Sequence, residues 1–442
     1  MSTFGRHALA GAAAAALFAS AAAGQLLPPL PLPPVNLPVG QMPVAGPALE
    51  QIFGREQTQQ VINPTLDSVA GLPSEVVAAG QATLLGLRRL RLQQLVRDNR
   101  QDLEAVEGGV PVRRGVLIAI DPDAASLQLA ARAGFRVIGD DTDSNLGVRL
   151  VQLACPRNLG TREALKRLRR AAHAIQADYD HVFEPAGGAL LPFAGSVAVQ
   201  GGGGGGPRIG MIDGGVAAHP SLSGANIEQH GFAGSPRATG HGTAVASLIV
   251  GSDGAFRGAA RNSALYVADV YGGSRAAGSA TSIVRALDWL AGKRAQVVNI
   301  SLVGPSNQIV ARVIAAVQAR GIQIVAAVGN DGPAAPPQFP ASYPGVIAVT
   351  GVDANGRALL EAGRATHLDF AAPGADMAAA LPGQGYARVR GTSFAAPLAA
   401  ARLAMTGSAQ GLAAEARPGR GRVGRGIVCG GCRVAPKAVG AR

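Results

Sequence analysis

Ile209-Gly210-Met211-Ile212-Asp213-Gly214-Gly215-Val216 reads as an apolar strand that stops on a carboxylate followed by two glycines. A short apolar run without polar alternation is the pattern of a strand covered on both faces. Similar runs recur at 264–271, 296–302, 322–328 and 346–352, separated by helical patterns such as 282–291 and 307–320. Strand and helix in alternation predict an α/β fold, a parallel sheet flanked by helices on both faces. Such sheets gather their chemistry at the carboxyl edge of the strands, and Asp213 falls there.

Two further blocks complete the pattern. His241 stands in Gly240-His241-Gly242-Thr243-Ala244, just before a helix expected over 242–250. Ser393 stands in Gly391-Thr392-Ser393-Phe394-Ala395-Ala396-Pro397, at the head of a helix expected to run to about Met405. A serine hydroxyl is a weak nucleophile at neutral pH and needs a histidine to take its proton and a carboxylate to orient that histidine. Each block alone is as readily a turn or a helix cap. Their joint occurrence in the order Asp, His, Ser points to catalysis.

These blocks resemble the subtilisin-like serine peptidases. The resemblance implies a subtilisin-like fold over 207–408 and a triad of Asp213, His241 and Ser393. It adds Asn330, in Ala326-Ala327-Val328-Gly329-Asn330, which would share an oxyanion hole with the Ser393 backbone N–H. It also implies a substrate-binding strand at Ser301, Leu302, Val303 and Gly304, with Ala327 and Gly329 beside it. One departure is visible, because relatives carry Ser or Thr after the aspartate and this chain carries Gly214. Calcium is common among such enzymes, yet the sequence offers no acidic cluster suited to it, so no metal site and no cofactor is assigned.

Upstream, residues 116–120, 135–138, 148–153 and 177–183 read as extended and 124–133 and 161–174 as helical. That β-α-β-β-α-β order is ferredoxin-like. By resemblance, this smaller α+β unit over 111–186 is a propeptide that acts as an intramolecular inhibitor. A Gly-rich linker over 187–206, with six consecutive glycines at 201–206, separates it from the catalytic region. Self-cleavage is expected between about Pro185 and Pro207.

Residues 1–23 carry Arg6 and His7 before an alanine-rich apolar stretch, the pattern of a signal peptide, and imply a secreted or periplasmic protein. Residues 24–110 comprise a proline-rich linker and a helical segment in which leucine and arginine alternate over 84–96, expected to present a solvated arginine face.

The chain of 442 residues carries a net charge of +12, nearly all of it after residue 206. A basic, Gly/Arg-rich tail at 409–442 supplies +6 and lacks interleaved aromatics, so it is expected to be solvated and no nucleic-acid partner is assigned. Cys429 and Cys432 form Cys-Gly-Gly-Cys, a small-loop disulfide candidate in an oxidising compartment. The expected protein is a monomeric, exported endopeptidase acting on polypeptides, without a stable membrane span. The rival reading is an inactive relative that binds peptides along Ser301 to Gly304.

Overall fold

A computed structural model describes residues 74–186, 205–383 and 385–441. The expected signal peptide, the proline-rich linker and most of the glycine linker lie outside the described residues. The chain divides into two units at Met42 and Pro43, and every described residue belongs to the second.

Helix α1 (Ser74–Asp98) leads through the short strand β1 (Leu103–Ala105) into β2 (Pro111–Ile120), α2 (Ala124–Arg132), β3 (Arg136–Asp141), β4 (Leu150–Ala154), α3 (Thr161–Ala171) and β5 (Gln176–His181). β4 and β5 flank β2 and β3 pairs with β4, all antiparallel, which is the ferredoxin-like order. Leu117, Ala119, Val151 and Leu153 pack on Ala130, Leu165 and Leu168 of the two helices. Instead of continuing to 183, the last strand ends at His181, and a separate two-residue strand β6 (Glu184–Pro185) follows.

After the linker come β7 (Arg208–Asp213), β8 (Asn226–Gly231), α4 (Gly240–Val250), the small hairpin β9 (Ser252–Asp253) and β10 (Phe256–Arg257), β11 (Ala264–Asp269) and α5 (Ala280–Gly292). Then follow β12 (Val297–Ile300), β13 (Leu302–Val303), α6 (Gln308–Ala319), β14 (Gln323–Ala327), β15 (Ile347–Val352) and β16 (Phe370–Pro373). The hairpin β17 (Met377–Ala380) and β18 (Tyr386–Val389) precedes α7 (Thr392–Thr406) and α8 (Ala409–Ala414). Seven strands form one parallel sheet in the order β16-β15-β14-β12-β7-β11-β8. Alternate residues of β7 feed two cores: Ile209 and Met211 pack with α4 and α7, Ile212 with α5 and α6. Both faces are therefore covered, as the unalternated apolar runs require.

The ferredoxin-like unit docks on the outside of α5 and α6, where Ile118, Ile120, Leu146 and Val148 join the core of those helices. Two of its carboxylates meet helix amino termini. Asp180 accepts from the Thr281 N–H at 2.9 Å and Asp178 from the Gln308 N–H at 2.9 Å, where unsatisfied N–H groups and the helix dipole favour negative charge.

The basic tail departs from its expected solvation. Ile427 pairs with Ala371 of β16, the Val428 N–H donates to the Ala371 carbonyl, and the Ala378 N–H donates to that of Val434. Val428, Leu412 and Val434 are buried in the main core, a gain no solvated segment would make. Cys429 and Cys432 are joined as a disulfide. No helix of the described residues is long and apolar enough to cross a membrane, and no group of three or more His, Cys, Asp or Glu among them could hold a metal ion.

Candidate active site

Asp213 is the last residue of β7 and is buried. Its Oδ1 accepts from the Gly214 N–H at 2.7 Å and lies 2.9 Å from His241 Nδ1, so Nδ1 carries the proton and Nε2 is left as an acceptor. Helix α4 starts two residues earlier than its apolar pattern suggests, capped by Thr239, whose hydroxyl accepts from the Gly242 N–H. His241 therefore sits inside the first helical turn, on a fixed backbone. Where the family resemblance leads one to expect a hydroxyl after the aspartate, Thr239 fills the space: a Cβ added at Gly214 would lie 2.5 Å from Thr239 Oγ1. The glycine is the room that Thr239 occupies.

Ser393 lies in the first turn of α7, fully buried. Gly391 precedes it at φ +141°, a backbone conformation that suits glycine. The turn is tied on both sides. The Ser301 hydroxyl donates to the Ser393 carbonyl at 2.9 Å, and Thr392 Oγ1 bonds both the N–H and the carbonyl of Gly329 at 3.1 Å. The Thr392 N–H donates to Asn330 Oδ1 at 3.0 Å. That bond fixes the orientation of the Asn330 amide and leaves its Nδ2 aimed elsewhere. His241 Nε2, Asn330 Nδ2 and Ser393 Oγ are all buried without a hydrogen-bond partner among the described residues. Orphaned buried polar atoms are rare enough to need a reason. These three are an acceptor, a donor and a hydroxyl, all anchored on the 391–394 turn, since the His241 ring also packs against Phe394 with centroids 5.3 Å apart. His241 and Ser393 do not bond to one another in this closed form.

The cleft beside them is filled by the chain itself. β6 pairs antiparallel with β13, Leu302 opposite Pro185 and Val303 opposite Glu184, and the Ala186 N–H donates to the Ser301 carbonyl at 2.9 Å. On its other side the Phe183 N–H donates to the Gly278 carbonyl at 2.7 Å, and Val182 bridges Ser279. Residues 182–186 thus lie between β13 and the backbone of Gly278 and Ser279. Phe183 is fully buried and lies over Gly304, where an added Cβ would come within 2.4 Å of its ring. Gly329 borders Val303, and Ala327 shares a core with Ala186 and Val303.

Sequence reasoning missed a cluster of charges over this strand. Glu184, nearly buried, receives Arg275 Nη2 at 2.6 Å and Arg91 Nε at 3.1 Å. Arg91 also reaches Asp331 at 3.0 Å, and Arg88 pairs with the same carboxylate at 3.1 Å. Burial opposes the charge of Arg91, but Glu184 and Asp331 more than offset it and hold its pKa raised. The arginine face of α1, expected to be solvated, is instead clamped onto the cleft, with Leu84 seated against Gly332. Asp331, the neighbour of Asn330, is the residue whose place in sequence could have drawn attention here. A second unforeseen carboxylate is Asp269, opposite Asp213 in the sheet register. Burial raises its pKa, although it accepts from the N–H groups of Arg237, Tyr271 and Gly272 and so holds the loop beside the cleft.

A doubly covered parallel sheet with Asp, His and Ser brought to one edge and a peptide strand beside them defines an α/β protein built around a serine-centred cleft. The family model described as Subtilase family matches residues 204–416. Subtilisin Savinase of Lederbergia lenta is 33% identical over 208 residues, 46% of this chain and 76% of that protein. The alkaline protease of Alkalihalobacillus alcalophilus is 33% identical over the same length, and the match spans only about half of it, 54%. Among solved structures, fervidolysin from Fervidobacterium pennivorans, a keratinolytic enzyme related to subtilisin, superposes with a TM-score of 0.61 at 18% identity, over 75% of this chain and 62% of that one. That likeness is one of fold. This chain belongs to the subtilase family.

Proposed function

We propose that the chain is an exported serine endopeptidase made as a self-processing zymogen, whose first substrate is its own segment 182–186. The observation that carries the reading is the seating of that segment as a strand on Leu302–Val303, one hydrogen bond from Ser301, which itself bonds the backbone of Ser393. That is how an extended peptide binds a sheet edge, with main-chain bonds supplying affinity. From that register we take Ala186 as the residue presented to Ser393 and Ala186–Gly187 as the scissile bond.

In the proposed reaction Ser393 Oγ attacks the Ala186 carbonyl carbon while His241 Nε2 takes the hydroxyl proton. Asp213 holds the imidazole through Nδ1 and stabilises the imidazolium. The oxyanion is received by Asn330 Nδ2 and the Ser393 N–H at the head of α7. His241 then gives its proton to the Gly187 nitrogen as the C–N bond breaks, leaving residue 186 as an ester on Ser393. Water, deprotonated by His241, hydrolyses the ester and regenerates the serine. The segment up to Ala186 then remains as an inhibitor until it leaves.

The test compares wild type with Ser393→Ala, by intact mass, amino-terminal sequencing and a fluorophosphonate probe. Wild type should shorten to a labelled product beginning at Gly187, or trimmed further toward Pro207, while Ser393→Ala stays long and unlabelled. If neither protein shortens nor takes label while both are folded, the peptidase reading falls and the peptide-binding relative replaces it.

A further inference from the structure

The backbone bonds that seat residues 182–186 are blind to sequence, so selection among substrates must come from side chains. One of them meets a charged partner. The Glu184 carboxylate, third residue on the amino side of the proposed scissile bond, is only 6% exposed and is held by two arginines. Those arginines have different fates on processing. Arg91 belongs to α1 and leaves with the cleaved segment. Arg275 belongs to the larger unit, in the turn at Arg275–Ala277 that runs directly into Gly278 and Ser279, the wall of the cleft.

We propose that Arg275 is a specificity-determining residue that selects peptides carrying a Glu or Asp side chain at this third position. Its Nη2 already makes a 2.6 Å contact to a carboxylate delivered on a bound strand. Its Nε is buried with no hydrogen-bond partner among the described residues, a second donor that a carboxylate can satisfy in the fork geometry arginine prefers. A glutamine in the same place gives a neutral hydrogen bond, and a lysine brings like charge against the guanidinium. Asp331 acts in the opposite direction. It stays on the larger unit, and once α1 departs it loses both Arg88 and Arg91. In the closed form Arg91 stands between it and Glu184, whereas Arg275 touches Glu184 directly, so the nearer charge prevails.

The inference rests on the reading of 182–186 as bound substrate, and the experiment separates the two. Matched fluorogenic peptides ending Phe-Glu-Pro-Ala, Phe-Gln-Pro-Ala and Phe-Lys-Pro-Ala before the reporter are given to self-processed enzyme, and kcat/KM is compared at low salt. Wild type should favour the Glu peptide over the Gln peptide by about 3- to 10-fold and over the Lys peptide by more, as expected for a part-exposed, charge-assisted contact. Arg275→Ala should bring the Glu-to-Gln ratio near one, Arg275→Glu should invert the Glu-to-Lys order, and Asp331→Asn should raise the Glu preference. Equal rates on the three peptides with wild type, or an unchanged Glu-to-Gln ratio in Arg275→Ala, would overturn the assignment. The wild-type ratios decide on their own if an Arg275 variant fails to accumulate. Absence of cleavage of all three peptides by wild type removes the peptidase reading itself, and this inference with it.

Discussion

At Gly214 a single missing side chain separates this chain from the Ser or Thr that the family resemblance leads one to expect after Asp213. From sequence alone the change is visible only as a departure from the family pattern. The structure gives a reason, because the Thr239 side chain stands where that residue's Cβ would be. Restoring the family hydroxyl with Gly214→Ser should therefore harm the protein. Overpacking of this kind costs about 1–3 kcal/mol, seen as a lower Tm, and the displaced Thr239 would drag the α4 cap and His241 with it. The double variant Gly214→Ser with Thr239→Ala should recover part of the loss in a thermodynamic cycle. Additive effects of the two changes would show that the residues do not compete for space. The blocks that carry Asp213, His241, Ser393 and Asn330 could be picked out in sequence because each is short and has its own glycines. Thr239 could not, since its role depends on the spatial approach of two loops.

At the scale of elements, α1 and the ferredoxin-like unit hold the cleft shut through contacts that local periodicity cannot show. The leucine and arginine spacing of α1 announced a helix, but the carboxylates that meet it lie 93 and 240 residues away. Arg91→Ala leaves the nearly buried Glu184 and Asp331 with fewer partners, a loss of about 1–2 kcal/mol after allowing for the exposure of the arginine. The cleaved segment should then dissociate roughly tenfold faster, shortening the lag between self-cleavage and peptide hydrolysis. An unchanged lag would show that α1 is not a latch. A second contact carries a pH signal. Asn307 spends its side-chain oxygen on the α6 cap, so its Nδ2 faces His181 Nδ1, which must accept and hence be neutral. Burial lowers the His181 pKa, while Asp178 and Glu107 pull it upward. A histidine with a depressed pKa in the bound state contributes its full hold above about pH 6.5, and the hold weakens as pH falls through that value. Release should thus be faster at pH 5.5 than at pH 7.5, measured by the same lag. His181→Gln, which keeps an acceptor without a titrating ring, should flatten the dependence in this window. Asp180, whose pKa is raised by burial, works with the opposite sign, so an increase in hold on mild acidification would assign control to it.

For the molecule as a whole, the α/β body was legible because its strands are buried on both faces and read as apolar runs, and the ferredoxin-like order was legible from the alternation of short elements. The course of the tail was hidden by its composition. Glycine and arginine dominate 417–426, and a net +6 over 409–442 argues for solvent, yet a few apolar side chains decide the matter. Val428 and Leu412 are fully buried, Val434 nearly so, and the backbone between them bonds to β16 and β17. Arg433 extends this anchoring, donating to the carbonyls of Ala375 and Asp353. Burying each such side chain contributes about 1.5–3 kcal/mol relative to leaving it exposed. Truncation after Ala416, where the family model ends, removes Val428 and Val434 from the core and leaves Ala371 of β16 and Ala378 of β17 without the backbone bonds the tail makes. A loss of about 3 kcal/mol or more follows, enough to lower the Tm by several degrees in a domain of this size. Calorimetry on Ser393→Ala protein, which cannot digest itself, isolates this effect from self-cleavage. A truncated protein with an unchanged Tm would show that the tail lies on the body without supporting it. A lowered Tm that is reproduced by Val428→Ala alone would assign the support to its buried side chain and not to the charge it carries alongside.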